Sequence, residues 1–540
     1  MKNFSFQTRK QNIQKLKENH FDLLIIGGGI TGAAVARDAS MRGLKVALVE
    51  SNDFAGGTSS RSSKLIHGGI RYLENFEFHL VFEALSERTK LFELAPHLVH
   101  HLRFMIPLYK SSRVGMLKMG LGMWLYDLLA LFQAPEMHTR LNSKETYADM
   151  PILNTKDLKG SYVYSDAYMD DDRLVHETLR SANEHGAICV NYVKALSAKI
   201  FKPHLQIEVE DHLTKEKFLI SASHIISTVG PWTDFLGEKL LSDWKKILRP
   251  TKGIHLTFSK QRLPLTTAVV MAAEKSNRIV FAIPRHEMVI VGTTDTDYAG
   301  NPRDVKVDLE DVRYLLDITN QYFPHAQLKI TDIVSSYAGV RPLVQDNSGS
   351  EGKTSREHTI LHDPRGFTFV AGGKYTTHRL MAEQIVDQCL KFFPFEQMAL
   401  LNKCQTEQPL NPYTSVDEYR NSLQEMTSDI GHRLAERYGA EAKLILENYG
   451  YTDNYWQIEA HQAIHHTMCL NLTDFYARRV PLILAYKNHG IDHIDDIAAV
   501  FQIELNLTDQ EIEKQKVELK NYIKSELSWL KDFGCEYLNI

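Results

Sequence analysis

Cysteine is scarce in this 540-residue chain: Cys189, Cys389, Cys404, Cys469 and Cys535 are far apart and odd in number. No C-x-x-C pair begins a zinc or redox site, a disulfide-stapled framework is excluded, and the usage suits a reducing cytoplasm. An excess of positive charge is lacking too. The net charge of −5 leaves no global field to hold a nucleic-acid backbone by counterion release, so no nucleic-acid partner is expected. No uninterrupted apolar run of about 18 residues occurs, which argues against a conventional membrane-spanning helix. The N-terminal MKNFSFQTRKQNIQKLKENH carries cations without an apolar stretch behind them, so a secretory signal is not expected. Internal repeats and low-complexity tracts are absent as well. What remains, 43% hydrophobic and 24% charged, is ordinary globular composition with room for roughly two to four domains.

The first ordered unit is FDLLIIGGGITGAAVARDASMRGLKVALVE, from Phe21 to Glu50: an apolar strand, a glycine turn, a helix with small residues on one face, and a second strand. From Phe76 to about Asn154 the pattern reads as mostly helical, with turn signals near Pro107, Ser111 and Pro135. Residues 161–230 return to alternating strand and helix. Between Thr251 and Tyr298 the segments GIHLTF, RIVFAIP and MVIVGTTD predict an antiparallel sheet. FTFVAGGKYTTHRLMAEQIVDQCL then gives a strand, a glycine pair and a long helix, and the chain beyond Cys404 is almost wholly helical.

Gly27, Gly29 and Gly32 form a G-x-G-x-x-G between strand and helix, and Glu50 ends the next strand about 20 residues on. The first glycine permits the turn, the second lets backbone approach a pyrophosphate, and the third allows close helix–strand packing, while Glu50 would accept from ribose hydroxyls. FAD and NAD share that adenosine half. FAD is longer, and its flavin end usually meets a second segment remote in sequence. AGGKYTTHR fits that part: Gly372 and Gly373 allow close approach, and Lys374 with the following helix start would stabilise negative charge on the flavin edge. Thr58, Ser59, Ser60, Ser62 and Ser63 supply hydroxyls for pyrophosphate and flavin contacts, or else form a solvated loop.

The motifs IIGGGITGA, GTSSRSSKLIHGGIRYLE, DDDRLVHETL, TVGPW, FAIP with VGTTDTDY, YAGVRPL and AGGKYTTHR stand in one order from about residue 20 to 390, followed by GHRLAERYG and DFYARR. In these the chain resembles the FAD-dependent (aerobic) glycerol-3-phosphate dehydrogenases. Tyr375 and His378 replace commoner residues, as does STVGPW, and none of these removes a candidate catalytic group. The resemblance implies an α/β fold with a Rossmann-like FAD-binding domain, an antiparallel-sheet substrate domain and an all-helical C-terminal domain. The expected boundaries are 20–75, 160–240 and 335–395 for the discontinuous FAD domain, 76–159 and 241–334 for the substrate domain, and 405–540 for the helical one.

It also implies oxidation of sn-glycerol 3-phosphate to dihydroxyacetone phosphate. A doubly charged phosphate calls for guanidinium donors, for which Arg71, Arg341 and Arg356 stand in or near the matched motifs. Removing the C2 hydroxyl proton calls for a base, and His67, beside Gly68 and Gly69, is the first candidate, with Arg341 and Lys374 as alternatives or as stabilisers of the developing oxygen charge. Tyr72 adds a hydroxyl. Lys64, Gly230 and Thr376, within the matched motifs, join the cofactor set.

The family divides by electron acceptor. Its oxidase branch carries a mid-chain insertion, and the compact spacing here points to a membrane quinone. That implies peripheral association with the inner face of the cell membrane. Residues 113–132, RVGMLKMGLGMWLYDLLALF, are a candidate for lipid contact and equally for a buried helix; the basic N-terminal segment is a second. A homodimer is the family expectation. His461 and His465 would present two metal ligands on one helix, but no local carboxylate completes an H-E-x-x-H pattern and no metal is expected.

Overall fold

The computed structural model describes residues 3–201, 204–273, 278–345 and 358–533, with the side chains of Arg71 and Asn75 left out. The apolar run behind the glycine turn forms the strand His20–Ile26, central in an eight-stranded sheet. Lys217–Ser227 and Val46–Val49 flank it in parallel, with Phe367–Gly372 beyond one and Ile188–Val190 beyond the other, also parallel. Such strands read as continuous apolar runs because helices cover both faces. The helix Ile30–Met41 is buried along nearly its whole length, which its alanines and glycine permit, and it packs between the helices Asp171–Glu184 and His378–Leu390. His358–Asp363 closes one edge antiparallel, and Val193–Phe201 and His204–Asp211 extend Lys217–Ser227 as an antiparallel hairpin.

The second sheet has ten strands, in the order Thr296–Asp297, Thr251–Ser259, Met288–Gly292, Arg278–Arg285, Ala268–Ala273, Val99–Tyr109, Leu158–Met169 and Leu65–Ile66. Ile333–Arg341 joins Thr251–Ser259, and Thr139–Asn142 joins Leu158–Met169. Leu65–Ile66, Leu158–Met169 and Ile333–Arg341 thus pair in this sheet, although they fall inside or across the ranges expected for the cofactor domain. Alternation along a strand marks its faces, not the sheet it joins.

Val99–Tyr109 is the principal departure from the helical reading of residues 76–154. Pro107 reads as a turn, yet it is accommodated in a strand: the parallel neighbour Ala268–Ala273 pairs only with Phe104 and Met105, so at Pro107 just one side carries a ladder. The helices from Val416 onward share one apolar core with the second sheet, where Ile254, Leu256 and Val291 meet Phe475, Leu482 and Trp529.

Candidate active site

Five parallel strands deliver their carboxyl ends to one edge of the first sheet, the place where open α/β sheets hold ligands. A cavity of about 370 Å³ opens there, lined by Gly27, Gly29, Glu50, Thr58, Ser59, Gly230, Gly372, Gly373 and Lys374 among others. Gly27 has φ +112°, and a Cβ on it would meet the Thr228 carbonyl oxygen at 2.8 Å, so the turn requires glycine. Gly29 caps the helix Ile30–Met41 without any side-chain cap bond, leaving first-turn N–H groups beside the cavity for an anion. Ser59 Oγ accepts from the Ile30 N–H at 3.0 Å, which ties the serine-rich loop to that helix start.

Glu50 accepts from the Gly28 N–H at 2.7 Å and the Asn52 N–H at 2.9 Å. Burial pushes its carboxyl up, and these donors partly offset the rise. The Ser51 hydroxyl also donates to Oε1, at 3.1 Å, so the lone pair left for a ligand hydroxyl is on Oε2.

At the opposite end, Gly372 and Gly373 adopt φ of +73° and +91°. The His67 N–H donates to Thr376 Oγ1 at 3.2 Å, and the Thr376 hydroxyl returns to the His67 carbonyl at 3.3 Å. Lys374 Nζ lies 3.8 Å from the centre of the Tyr72 ring. His67, Tyr72, Lys374 and Thr376 therefore come together from two segments some three hundred residues apart (|i−j| of 309 for the His67–Thr376 pair). Arg341 stands at the end of a strand of the second sheet, next to a lining residue of the cavity. Its guanidinium donates to Thr293 Oγ1 at 2.8 Å and to Asp295 Oδ1 at 3.3 Å, while its neighbour Pro342 lines the cavity and Thr58 donates to the Val340 carbonyl at 2.7 Å.

Other expected cofactor residues act from behind the lining. Gly32 packs against the strand turn, Ser60 donates to the Ala55 carbonyl at 2.8 Å, and Ser63 Oγ lies 2.8 Å from His255 Nε2. Lys64 is buried and paired with Asp171. A carboxylate within bonding reach outcompetes a more distant ligand for an ammonium, so Lys64 fixes the loop rather than facing the cavity. The side chain of Arg71 and the whole of Arg356 lie outside the described residues.

Several contributors escape sequence reasoning. Val193, Lys194, Ala195, Trp232 and Arg303 line the cavity, and of these only Trp232 sits in a motif. His255 is buried and stacked on Tyr337 with ring centres 4.7 Å apart. Burial first, then the nearby charges of Arg341 and Lys64, hold its imidazole well below the ordinary histidine value, and therefore neutral. Beneath the His67 loop lies a buried cluster: Asp166 accepts from Tyr126 Oη at 2.8 Å and from Arg88 at 2.6 Å, and the Gly68 N–H points at both Tyr126 Oη and Asp166. No local pattern announces these residues, because three separate elements supply them.

The helical C-terminal region also reaches the cofactor loop. Arg478 and Arg479 bind Asp53 at 2.6 and 2.8 Å, and Arg61 binds Glu526 at 2.7 Å. Burial alone would raise the Asp53 carboxyl, but the two guanidiniums override it and hold it below the usual range.

A family model described as FAD dependent oxidoreductase matches residues 22–379, and one described as the C-terminal domain of alpha-glycerophosphate oxidase matches residues 370–512. The chain belongs to the FAD-dependent oxidoreductases. It is 34% identical over 533 residues to the aerobic glycerol-3-phosphate dehydrogenase of Staphylococcus saprophyticus, covering 94% of this chain and 96% of the relative, and 34% identical over 538 residues to that of Staphylococcus aureus, covering 96% and 97%. Within its class it is thus a member of the aerobic glycerol-3-phosphate dehydrogenase family. The solved glycerol-3-phosphate dehydrogenase from Bacillus halodurans complexed with FAD superposes with a TM-score of 0.79 at 28% identity, over 97% of this chain and 99% of that one. L-alpha-glycerophosphate oxidase from Mycoplasma pneumoniae shares the fold, with a TM-score of 0.56 and 19% identity over 72% and 98%.

Proposed function

We propose that the protein oxidises sn-glycerol 3-phosphate to dihydroxyacetone phosphate and passes the electrons to a membrane quinone. The observation that carries this reading is that Lys374, which lines the cavity beside Gly372 and Gly373, packs on Tyr72 from the loop whose His67 backbone is tied to Thr376. The names of the relatives support the substrate. Bound FAD would supply the acceptor for the hydride leaving C2, held by the Gly27–Gly32 turn and Glu50 at one end and by residues 372–374 at the other.

The chain's own groups do the rest. Arg341, with Arg71 and Arg356, would neutralise the phosphate. His67 would take the C2 hydroxyl proton, its loop held by Thr376, and Lys374 would stabilise charge on that oxygen. Arg341 remains fully protonated at any working pH, which makes it the weakest of the alternative bases.

The acceptor and the membrane belong together, since quinone resides in the bilayer. The helix Met116–Leu129 turns Met123, Tyr126 and Asp127 inward but exposes Leu117 (84%), Leu121 (67%), Trp124 and Leu128, continued by Leu131 and Phe132. Apolar residues on the outer side of a surface helix, with Trp among them and Lys110, Arg113 and Lys118 nearby, suit the headgroup region of a bilayer. The adjoining helix adds exposed Phe78 and Phe82. Among the described residues no helix is long and apolar enough to cross a membrane. The N-terminal helix Phe6–Glu18 instead binds inward through Arg9, which donates to Asp211 and the Asn191 carbonyl.

Anaerobic addition of glycerol 3-phosphate to the FAD-loaded protein should bleach the visible flavin absorption, and a quinone analogue should restore it without oxygen. An unbleached flavin would reject the substrate; stoichiometric hydrogen peroxide without quinone would replace the acceptor by oxygen.

A further inference from the structure

Far along the chain from the cofactor motifs, two helices of the C-terminal region bring together a set of donors that no sequence motif joins. His461 and His465 stand four residues apart on the helix Tyr455–His466, and so on one face. Glu504, on the neighbouring helix Ile494–Leu505, reaches between them: its Oε2 lies 2.8 Å from His465 Nε2 and its Oε1 2.9 Å from His461 Nδ1. The three ligand atoms lie within 4.8 Å of one another.

The two contacts differ. His465 Nε2 and Glu504 form a hydrogen bond. His461 Nδ1 is buried and has no hydrogen-bond partner, because the carboxylate oxygen at 2.9 Å lies off the direction in which the ring nitrogen would donate. A buried ring nitrogen aimed into a space shared with a carboxylate and a second imidazole is placed to act as a metal ligand.

The surroundings are ordered as a ligand shell requires. Tyr449 lies parallel to both imidazoles, at 6° to His461 and 12° to His465, which fixes their planes. Tyr451 Oη lies 2.8 Å from the remote His461 Nε2, where it would accept that nitrogen's proton and leave Nδ1 as a lone pair.

We infer that His461, His465 and Glu504 form a site for a divalent transition-metal ion of the zinc class. Two imidazoles and one carboxylate are a donor set that zinc takes, and the partly exposed His465 and Glu504 leave the fourth position to water. Ligand atoms around a tetrahedral ion stand about 3.3 Å apart, so the two histidine–glutamate gaps, each to its own carboxylate oxygen, need to open by about half an ångström, and the widest separation in the set, at most 4.8 Å, needs to close by about 1.5 Å at most. Binding would displace the proton between His465 and Glu504 and clamp the two helices.

The test uses tag-free, FAD-loaded enzyme stripped with chelator. Titration with Zn²⁺ should show one stoichiometric site and raise the melting temperature. Co²⁺ should give tetrahedral absorption bands at wavelengths beyond those of the flavin. Glu504→Gln, nearly isosteric, should lose binding by orders of magnitude while glycerol 3-phosphate reduces the flavin at an unchanged rate; His465→Gln is the second variant should the first fold poorly. Absence of stoichiometric binding by the parent enzyme, or equal affinity in a folded variant, would overturn the site.

Discussion

A methyl group placed on Gly32 would lie 2.0 Å from the Gly27 carbonyl oxygen and 2.6 Å from the Thr228 hydroxyl. Both directly follow central strands of the first sheet and are tied to them, Gly27 N–H to the Val49 carbonyl and Thr228 N–H to the Ile26 carbonyl, so the helix would have to move. Gly32→Ala is expected to cost about 1–3 kcal/mol of stability and to release FAD, measurable by urea unfolding and by flavin fluorescence in the filtrate. His67→Ala and Arg341→Ala act differently. They should retain FAD while slowing anaerobic flavin reduction by about two to four orders of magnitude, the usual loss with a positioned base or a charge-stabilising donor. Stopped-flow reduction at the parent rate would remove either residue from the chemistry. The glycine turn and Glu50 were legible because their roles depend on near neighbours in sequence. His255 and Asp166 were not: a histidine inside a strand and an aspartate in a long strand acquire meaning only from what pairing places beside them.

Elements transmit those placements. The loop after Leu65–Ile66 holds His67, and its anchor is a carboxylate on Leu158–Met169 shared by Tyr126 and Arg88 from two helices. Asp166→Asn would leave the Arg88 guanidinium buried without its counter-charge, at a cost of about 3–5 kcal/mol. Flavin reduction should slow as the loop loosens, while FAD affinity, set mainly by the other end of the cavity, should change little. Equilibrium unfolding together with reduction kinetics checks both halves. Helix Met116–Leu129 carries the lipid proposal. Leu121→Glu combined with Trp124→Glu should leave anaerobic flavin reduction intact and abolish co-sedimentation with anionic vesicles. Unchanged sedimentation would move the contact elsewhere. From its composition this helix suited the interior as well as the bilayer; the direction of its Leu and Trp side chains is decided by Tyr126 and Asp127, whose partners fix the opposite side inward.

At the scale of the whole molecule, buried histidines set the response to acid. Burial pushes His224 and His378 down to about 4, from 6.5 in an unfolded chain. Their contribution is complete above about pH 6.5 and is lost as pH falls towards 4, since the unfolded chain then binds protons that the fold refuses. Each removes about 1.4 kcal/mol per pH unit across that window. Melting curves between pH 7 and about pH 4 should fall accordingly, and His378→Gln should flatten the slope. A parent profile flat over the window would show that these rings accept protons within the fold. The class of architecture was legible from motif order and periodicity. The membership of Leu65–Ile66 and Ile333–Arg341 in the second sheet was not, because long-range pairing leaves no mark on a short apolar run.

Asp53 and Arg61 lie within the first tenth or so of the chain, but the groups that brace them, Arg478, Arg479 and Glu526, lie in the last tenth or so. During synthesis the glycine turn and its loop emerge well ahead of these braces, since 425 residues separate Asp53 from Arg478 and 465 separate Arg61 from Glu526. The flavin-end segment 372–374 also precedes them. Both ends of the cradle are therefore made before the loop between them is fastened, and a nascent chain arrested short of Arg478 would hold the fingerprint without the grip.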